Sequence, residues 1–276
     1  MKKKKLTSKI IKTVIMTLVA VLFLSPFLWM LSSSLKLPIE IASPEFHFFG
    51  EALQWSNYVT VFTQEKANML LAYRNTLFVA AVSIILRISL SSMAAFAFAK
   101  VKFKGKDFVF LLFLSSMMIP GQATLIPKFM LFKTIGLYNT LWALILPHLF
   151  GASGIFLLRQ FYLGLPTALM EAAKIDGAGL FRIFTTIYLP LSKPAMISLT
   201  LLSFVDTWNE YLSAMVFITR SDLYIISQVI KYFAGEMGDP AVQMAAASCA
   251  VFPIFILFFF CQKYFIEGIA TSGVKG

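Results

Sequence analysis

Asp206, Asn209, Glu210 and Ser213 recur at three- and four-residue spacing in a stretch otherwise apolar enough to cross a membrane. That spacing predicts one shared helical face. Ionisable groups inside a membrane helix are costly, so they usually face a cavity or a partner group. Trp208 and Tyr211 stand beside them and offer aromatic surface with hydrogen-bonding tips. Such a face can line an aqueous path and exchange hydrogen bonds with a polar solute. Equally, Asp206 and Glu210 can hold helices together by pairing with Arg87, which falls midway along another apolar run. The residues alone leave both open. An unpaired charge at that depth costs about 2.5–3.5 kcal/mol on insertion scales. Counting along the two antiparallel runs favours Glu210 slightly over Asp206 as the partner of Arg87.

Other chemistries lack their residues. A phosphate-binding loop needs Gly, four residues, then Gly-Lys-Ser/Thr. Here Gly105-Lys106 is followed by Asp107, and Lys100 stands at the first glycine position. There is no His-Glu-x-x-His motif, and His47 is far in sequence from His148. Cys249 and Cys261 both fall in the last apolar run, so no disulfide framework is implied. The chain is therefore expected to be no enzyme, with no metal site.

The elements that carry these residues are membrane spans. Apolar residues make up 59% of the 276-residue chain and charged residues 13%, against roughly 45–50% and about 25% in soluble domains. Six runs approach the ~20 residues that cross a hydrocarbon core: Thr13–Leu31, Asn75–Ala99, Phe108–Ile126, Leu141–Leu158, Ala195–Ile218 and Val242–Cys261. The first is longer than a signal-peptide core and has no clear cleavage site, so it reads as a retained anchor. Pro120 and Gly121 predict a kink in the third span, Pro147 and Gly151 one in the fourth. Ser91, Ala95 and Ala99, and likewise Ala241, Ala245 and Cys249, repeat every four residues, which either marks close helix approach or reflects how common alanine is in membrane helices.

The net charge of +11 does not point to nucleic acid, because basic residues crowd one side of the spans. Lys2–Lys5, Lys100–Lys106, Arg159, Lys174, Arg182 and Lys193 fall on the side of the N-terminus. The positive-inside rule puts that side, and both termini, in the cytoplasm.

Residues 159–193 then form a cytoplasmic loop. Pro166 suits a first helical turn, Leu169 to Ala173 continue it, and Gly177 suits a left-handed ending. A second short helix, Leu180–Ile187, is expected to present Leu180, Phe181, Phe184 and Ile187 on one face. Pro190 should stop it, and Pro194 should open the fifth span with Ser192 as cap. The small Ala172 and Ala173 keep one face thin, and Glu171 and Asp176 offer charge. That is a docking element for a partner, or else a capped connector with none.

The pattern Glu171-Ala172-Ala173, Asp176-Gly177-Ala178, then Ile187, Leu189-Pro190 and Pro194 resembles the loop by which permeases of bacterial ABC importers grip their ATPase. Trp208–Tyr211, Gly136–Thr140 and Ala97–Gly105 resemble the carbohydrate permeases of that family. Ser272, Gly273, Val274, Lys275 and Gly276 resemble the C-terminus of the smaller maltose-transporter permease. The resemblance implies an all-α polytopic membrane protein of six transmembrane helices, the last five forming a core like that of methionine permeases. It implies an anchor and outer loop over residues 1–74 and a permease core over 75–276.

It also implies partners: a second homologous permease, two ATPase copies that carry the ATP and Mg, an extracytoplasmic sugar-binding protein and membrane lipid, in a bacterial inner membrane. No cofactor is expected in this chain. Glu171 to Ala173 and Asp176 to Ala178, with the C-terminal tail, would touch the ATPase. Asp206, Trp208, Asn209, Glu210 and Tyr211 would be candidates for the pathway. The outer loop Thr219–Pro240 corresponds to one that reaches into the binding protein's cleft. Arg87 departs from the family's expected apolar or small residue. The alternatives are a permease for another solute, and an ion-coupled transporter acting alone, for which no internal repeat is evident.

Overall fold

The computed structural model describes residues 2–45 and 47–273, with side chains described for 9–45 and 47–260. Among them no strand occurs. Four helical stretches are long and apolar enough to cross a membrane: Lys9–Ser33, Met69–Lys100, Trp142–Leu163 and Pro240–Phe260. Two bent helix pairs raise the number to as many as six.

The bends alter two expected spans. The third is α5 (Lys106–Ser116), a 3-10 turn (Gly121–Thr124) and α6 (Leu125–Thr134), bent by 91°. Pro120, with φ −64° and ψ 133°, leaves the helical region, so Phe108–Ile126 is not one straight rod. The fifth, α12 (Lys193–Trp208), ends ten residues before the expected Ile218, and α13 (Leu212–Phe217) restarts after a break. On its other side α12 meets Leu180–Leu191 at 75°. The fourth span pauses between α7 (Trp142–His148) and α8 (Ala152–Leu163), where Pro147 and Gly151 predict a kink.

The residues divide into two compact units, 1–70 with 229–255 and 71–228 with 256–276. In the first, α1 (Lys2–Ser33) is apolar all round after Lys12 and its membrane-length window is 0% buried, so lipid or another chain must cover it. Phe27 meets Phe255 of α15 (Pro240–Gly273) edge-on at 5.5 Å. The chain leaving α1 is pinned before α2 (Pro38–Ala42) and α3 (Ser56–Thr63). Lys36, 1% exposed, donates to the His47 carbonyl and lies 4.3 Å from the Trp29 ring centre. Asn57 donates to the Ser34 and Lys36 carbonyls at 3.0 Å each. Glu40 accepts the Leu37 and Glu51 amides at 2.7 and 2.8 Å.

In the second unit α4 (Met69–Lys100) is the long element. Its small-residue stripe does what its spacing predicts: Ser91 and Ala95 are buried, and a Cβ on Gly154 of α8 would lie 2.9 Å from Ser91 Oγ and 3.2 Å from Leu199 of α12. Two apolar cores follow. One gathers Ala95, Phe96, Leu158, Tyr162, Tyr188 and Leu199. The other gathers Val79, Phe132, Leu144, Ala214, Phe217 and Ile225.

Candidate functional site

Arg87 is buried on α4 and points at the breaks in the fourth and fifth spans. Its Nη1 lies 3.3 Å from Asp206 Oδ2, and its Nη2 donates to Ser153 Oγ at 3.1 Å. Asp206 closes the last turns of α12 and Ser153 opens α8. The pairing of Arg87 with a carboxylate is therefore real, but the partner is Asp206 rather than Glu210. The expected single face over Asp206, Asn209, Glu210 and Ser213 does not form, because α12 ends at Trp208 and the next residues leave the helix.

Glu210 is redirected by that ending. Its Oε1 accepts the Ser213 amide at 2.9 Å, capping α13, and its backbone carbonyl accepts the Ser227 hydroxyl at 2.6 Å. Its other oxygen lies 3.7 Å from His148 Nε2, while His148 Nδ1 lies 3.6 Å from Asp206 Oδ2. His148 thus stands between the two carboxylates. Sequence reasoning missed this role; the signal was a histidine beside Pro147 in an apolar run. Ser83, Ser203 and Thr207 hydroxyls and Arg87 Nε are also buried here without a hydrogen-bond partner.

The remaining pathway candidates separate. Trp208 is 3% exposed and stacks on Phe204 at 5.0 Å. Asn209 donates back to the Val205 carbonyl at 2.8 Å, and the Tyr211 hydroxyl contacts Met215 Sδ at 3.2 Å. Asp206 keeps 58% of its side chain exposed while one oxygen is paired. The cluster can therefore offer a free carboxylate oxygen held in place by a buried cation. No group of three or more His, Cys, Asp or Glu side chains fit to hold a metal occurs among the described residues.

The loop after α8 folds as a helix, a turn and a helix. α9 covers Ala168–Ile175 and starts two residues later than Pro166. Gly177 has φ +79°, with the Gly177 amide bonded to Lys174 O and the Ala178 amide to Ala173 O. A left-handed glycine ending is what the sequence predicts. Met170 and Ala173 are buried, whereas Glu171, Ala172, Asp176 and Gly177 are exposed and Ala178 is half-buried. The face left free is thin and charged. It is also apolar: Ile175, which the sequence reading did not single out, is 86% exposed, and Phe181 is 72% exposed.

The following helix differs from expectation. α10 (Leu180–Ile183) runs into a π turn (Phe184–Tyr188) and α11 (Leu189–Leu191), so Pro190 does not stop it. Proline lacks the amide for the α-helical bond, and the wider π turn accommodates that loss. The buried side is Ile183, Phe184 and Tyr188, not the face of Leu180 and Phe181. Ser192 makes no side-chain cap; its hydroxyl donates to Leu189 O at 2.9 Å and meets the Tyr162 hydroxyl at 3.2 Å. Of the tail residues, Ser272 and Gly273 lie in α15, and Val274, Lys275 and Gly276 fall outside the described residues.

Residues 87–271 match the model of the binding-protein-dependent transport system inner membrane component. The chain belongs to that family. The match starts at Arg87, within α4, and takes in every span after it, so the chain is a multi-pass membrane permease, a transport component.

Relatives agree in length as well as sequence. The chain is 34% identical over 230 residues to the arabinooligosaccharides transport system permease protein AraQ of Halalkalibacterium halodurans, covering 83% of this chain and 82% of that one. It is 32% identical to the melibiose/raffinose/stachyose import permease protein MelC of Bacillus subtilis, with 96% of each covered. It is 30% identical to the trehalose/maltose transport system permease protein MalG of Thermococcus litoralis, with 94% of each covered. A solved bacterial ABC transporter involved in the import of the acidic polysaccharide alginate shares the fold, with a TM-score of 0.77 at 24% identity over 93% of this chain and 96% of that one.

Proposed function

We propose that this chain is one half of the translocation path of an ATP-driven importer for a sugar or oligosaccharide. The observation that carries this reading is the naming of full-length relatives, whose arabinooligosaccharide, trehalose/maltose and melibiose/raffinose/stachyose systems all carry sugars. A second, homologous permease supplies the other half, and an extracytoplasmic binding protein delivers the solute. Two ATPase copies dock on the loop of α9, and both termini lie on their side of the membrane.

The polar cluster supports the path. Asp206 has one oxygen fixed by Arg87 and an exposed side chain otherwise, a suitable acceptor for sugar hydroxyls. The thin exposed strip of Glu171, Ala172, Asp176 and Gly177 supports the ATPase contact, and Ile175 and Phe181 add apolar surface to it.

The test uses the intact transporter with its binding protein in vesicles. Neutral oligosaccharides should stimulate ATP hydrolysis and be taken up. Stimulation by another solute class alone would sink the sugar reading. Uptake that persists without the ATPase subunits would sink the importer reading altogether.

A further inference from the structure

The connection between α4 and α5 carries a lysine at every second position, Lys100, Lys102, Lys104 and Lys106. Lys100 is already engaged: its Nζ donates to the Leu165 carbonyl at 2.7 Å and lies 5.5 Å from the Tyr188 ring centre. The other three have no carboxylate at ion-pair distance among the described residues.

A solvated basic loop would need nothing more. This one folds around a recess of about 300 Å³ lined by Lys102, Phe103, Gly105, Lys106, Asp107 and Phe108. Gly105, at φ +78°, turns the chain back so that Lys102 and Lys106 line the same hollow. Its one acid is countered from behind, since Asp107 Oδ1 lies 3.8 Å from Arg159 Nη2. Arg159 is itself held 4.0 Å over the Phe110 ring. The recess is therefore left with uncompensated positive charge.

Its depth identifies the occupant. The apolar run of α4 ends at Lys100 and that of α5 begins at Phe108, so the recess sits where two membrane-crossing segments end. Phe103 and Phe108 are both exposed on its rim. Exposed apolar rings at that level are suited to the boundary between headgroups and acyl chains, and basic pockets between helix ends suit lipid phosphates.

We propose that this recess binds the headgroup phosphate of an anionic phospholipid. Lys102 and Lys106 pair with the phosphate, Lys104 adds to the field, and the Phe103 and Phe108 rings lie against the upper acyl chains. A free phosphate would use the lysines but would leave both rings in water.

The experiment takes the intact transporter, stripped of lipid in detergent, and titrates it with short-chain phosphatidylglycerol or phosphatidylcholine. Bound lipid is counted by native mass spectrometry. Phosphatidylglycerol should bind at lower concentration than phosphatidylcholine. Removing Lys102 and Lys106 together, as K102Q/K106Q, should weaken it by about fivefold per lysine, or about 25-fold, with phosphatidylcholine unchanged. The charge-keeping K102R/K106R should retain the lipid, which separates charge from misfolding, and K9Q/K12Q should have no effect. Equal affinity for the two lipids would overturn the proposal, as would an equal loss in K9Q/K12Q. Displacement of the lipid by inorganic phosphate at matching concentration would assign the recess to free phosphate instead. Cross-linking of position 102 to an acidic segment of a partner subunit in place of lipid would overturn it too.

Discussion

A Cβ atom on Gly151 would stand 2.7 Å from Nη2 of Arg87 and 3.0 Å from its Cζ. Gly151 has an ordinary extended backbone, φ −79° and ψ 110°, so space and not conformation demands a glycine here. The absent side chain is what lets the guanidinium lie between Asp206 and Ser153. Gly151→Ala should push it aside. The tip of an arginine moves easily, so the fold should survive while the pair to Asp206 weakens, at about 1–3 kcal/mol in thermal unfolding. Uptake should fall with the amount of assembled complex unchanged. Gly164→Ala, where an added Cβ meets the Phe161 and Gln160 carbonyls at 3.4 and 4.0 Å, should be near neutral. Equal effects from the two substitutions would remove the ion pair from the explanation.

The proposed docking role of the exposed strip on α9 predicts a separation between assembly and folding. Gly177→Val places a β-branched residue at φ +79° and should disturb the turn. Ala172→Arg puts bulk on the thin exposed face, and Ile175→Asp and Phe181→Asp remove apolar contact without touching a buried group. All four variants should insert normally and lose ATPase subunits on purification. Normal co-purification and uptake in Gly177→Val and Ala172→Arg would end the docking assignment.

Asn139 should be an anchor for the segment over residues 219–240. It adopts φ +58°, and its Oδ1 accepts the Thr219 amide at 2.6 Å and the Arg220 amide at 3.2 Å. Asn139→Gly keeps the backbone and loses the clamp, while Asn139→Ala loses both. Each lost hydrogen bond is worth about 0.5–1.5 kcal/mol net, so Asn139→Ala should lower the thermal midpoint more than Asn139→Gly. Beyond the clamp, deleting Gly235–Gly238 should leave insertion intact and reduce the ATP hydrolysis that the binding protein stimulates. Unchanged stimulation would make that loop a mere connector.

Glu40 sets a pH dependence for the segment after α1. The Glu51 amide, then the Leu37 amide, hold its carboxyl below the usual value of 4.5. A carboxylate with a lowered folded pKa stabilises the fold above its unfolded pKa, and that stability is lost as pH falls through the folded pKa. Proteolysis of residues 37–51 should therefore quicken in acid below about pH 4.5, and Glu40→Gln should abolish the change. A pH-independent cleavage rate in the wild-type chain would contradict this.

The backbone of the loop that carries α9 was legible because its signals are local. A glycine in the left-handed region, small residues on one side and prolines nearby act within a few positions, so Gly177 and Ala172 could be read in place. The polar cluster was legible only in part. Its members were visible as charges in apolar runs, but their partnerships depend on where helices stop. Asn209 and Glu210 leave the helix after Trp208, and that ending, unmarked by proline or glycine, moved the pairing from Glu210 to Asp206. His148 escaped notice because a lone histidine carries no pattern; only two breaks meeting in space give it neighbours. The wide turn over Phe184–Tyr188 was hidden for a similar reason, since proline marks a disruption without saying how the backbone absorbs it.

Beneath α9 lies a pad of rings: Phe96 packs on Tyr162, Phe184 and Tyr188 with centroids 6.3, 5.4 and 5.1 Å away. Packed interiors are nearly incompressible. Tyr162 joins that pad to Ser192, at the elbow from which α12 departs at 75°. α9 and the base of α12 therefore share one stiff footing, and α12 carries Asp206 towards its far end.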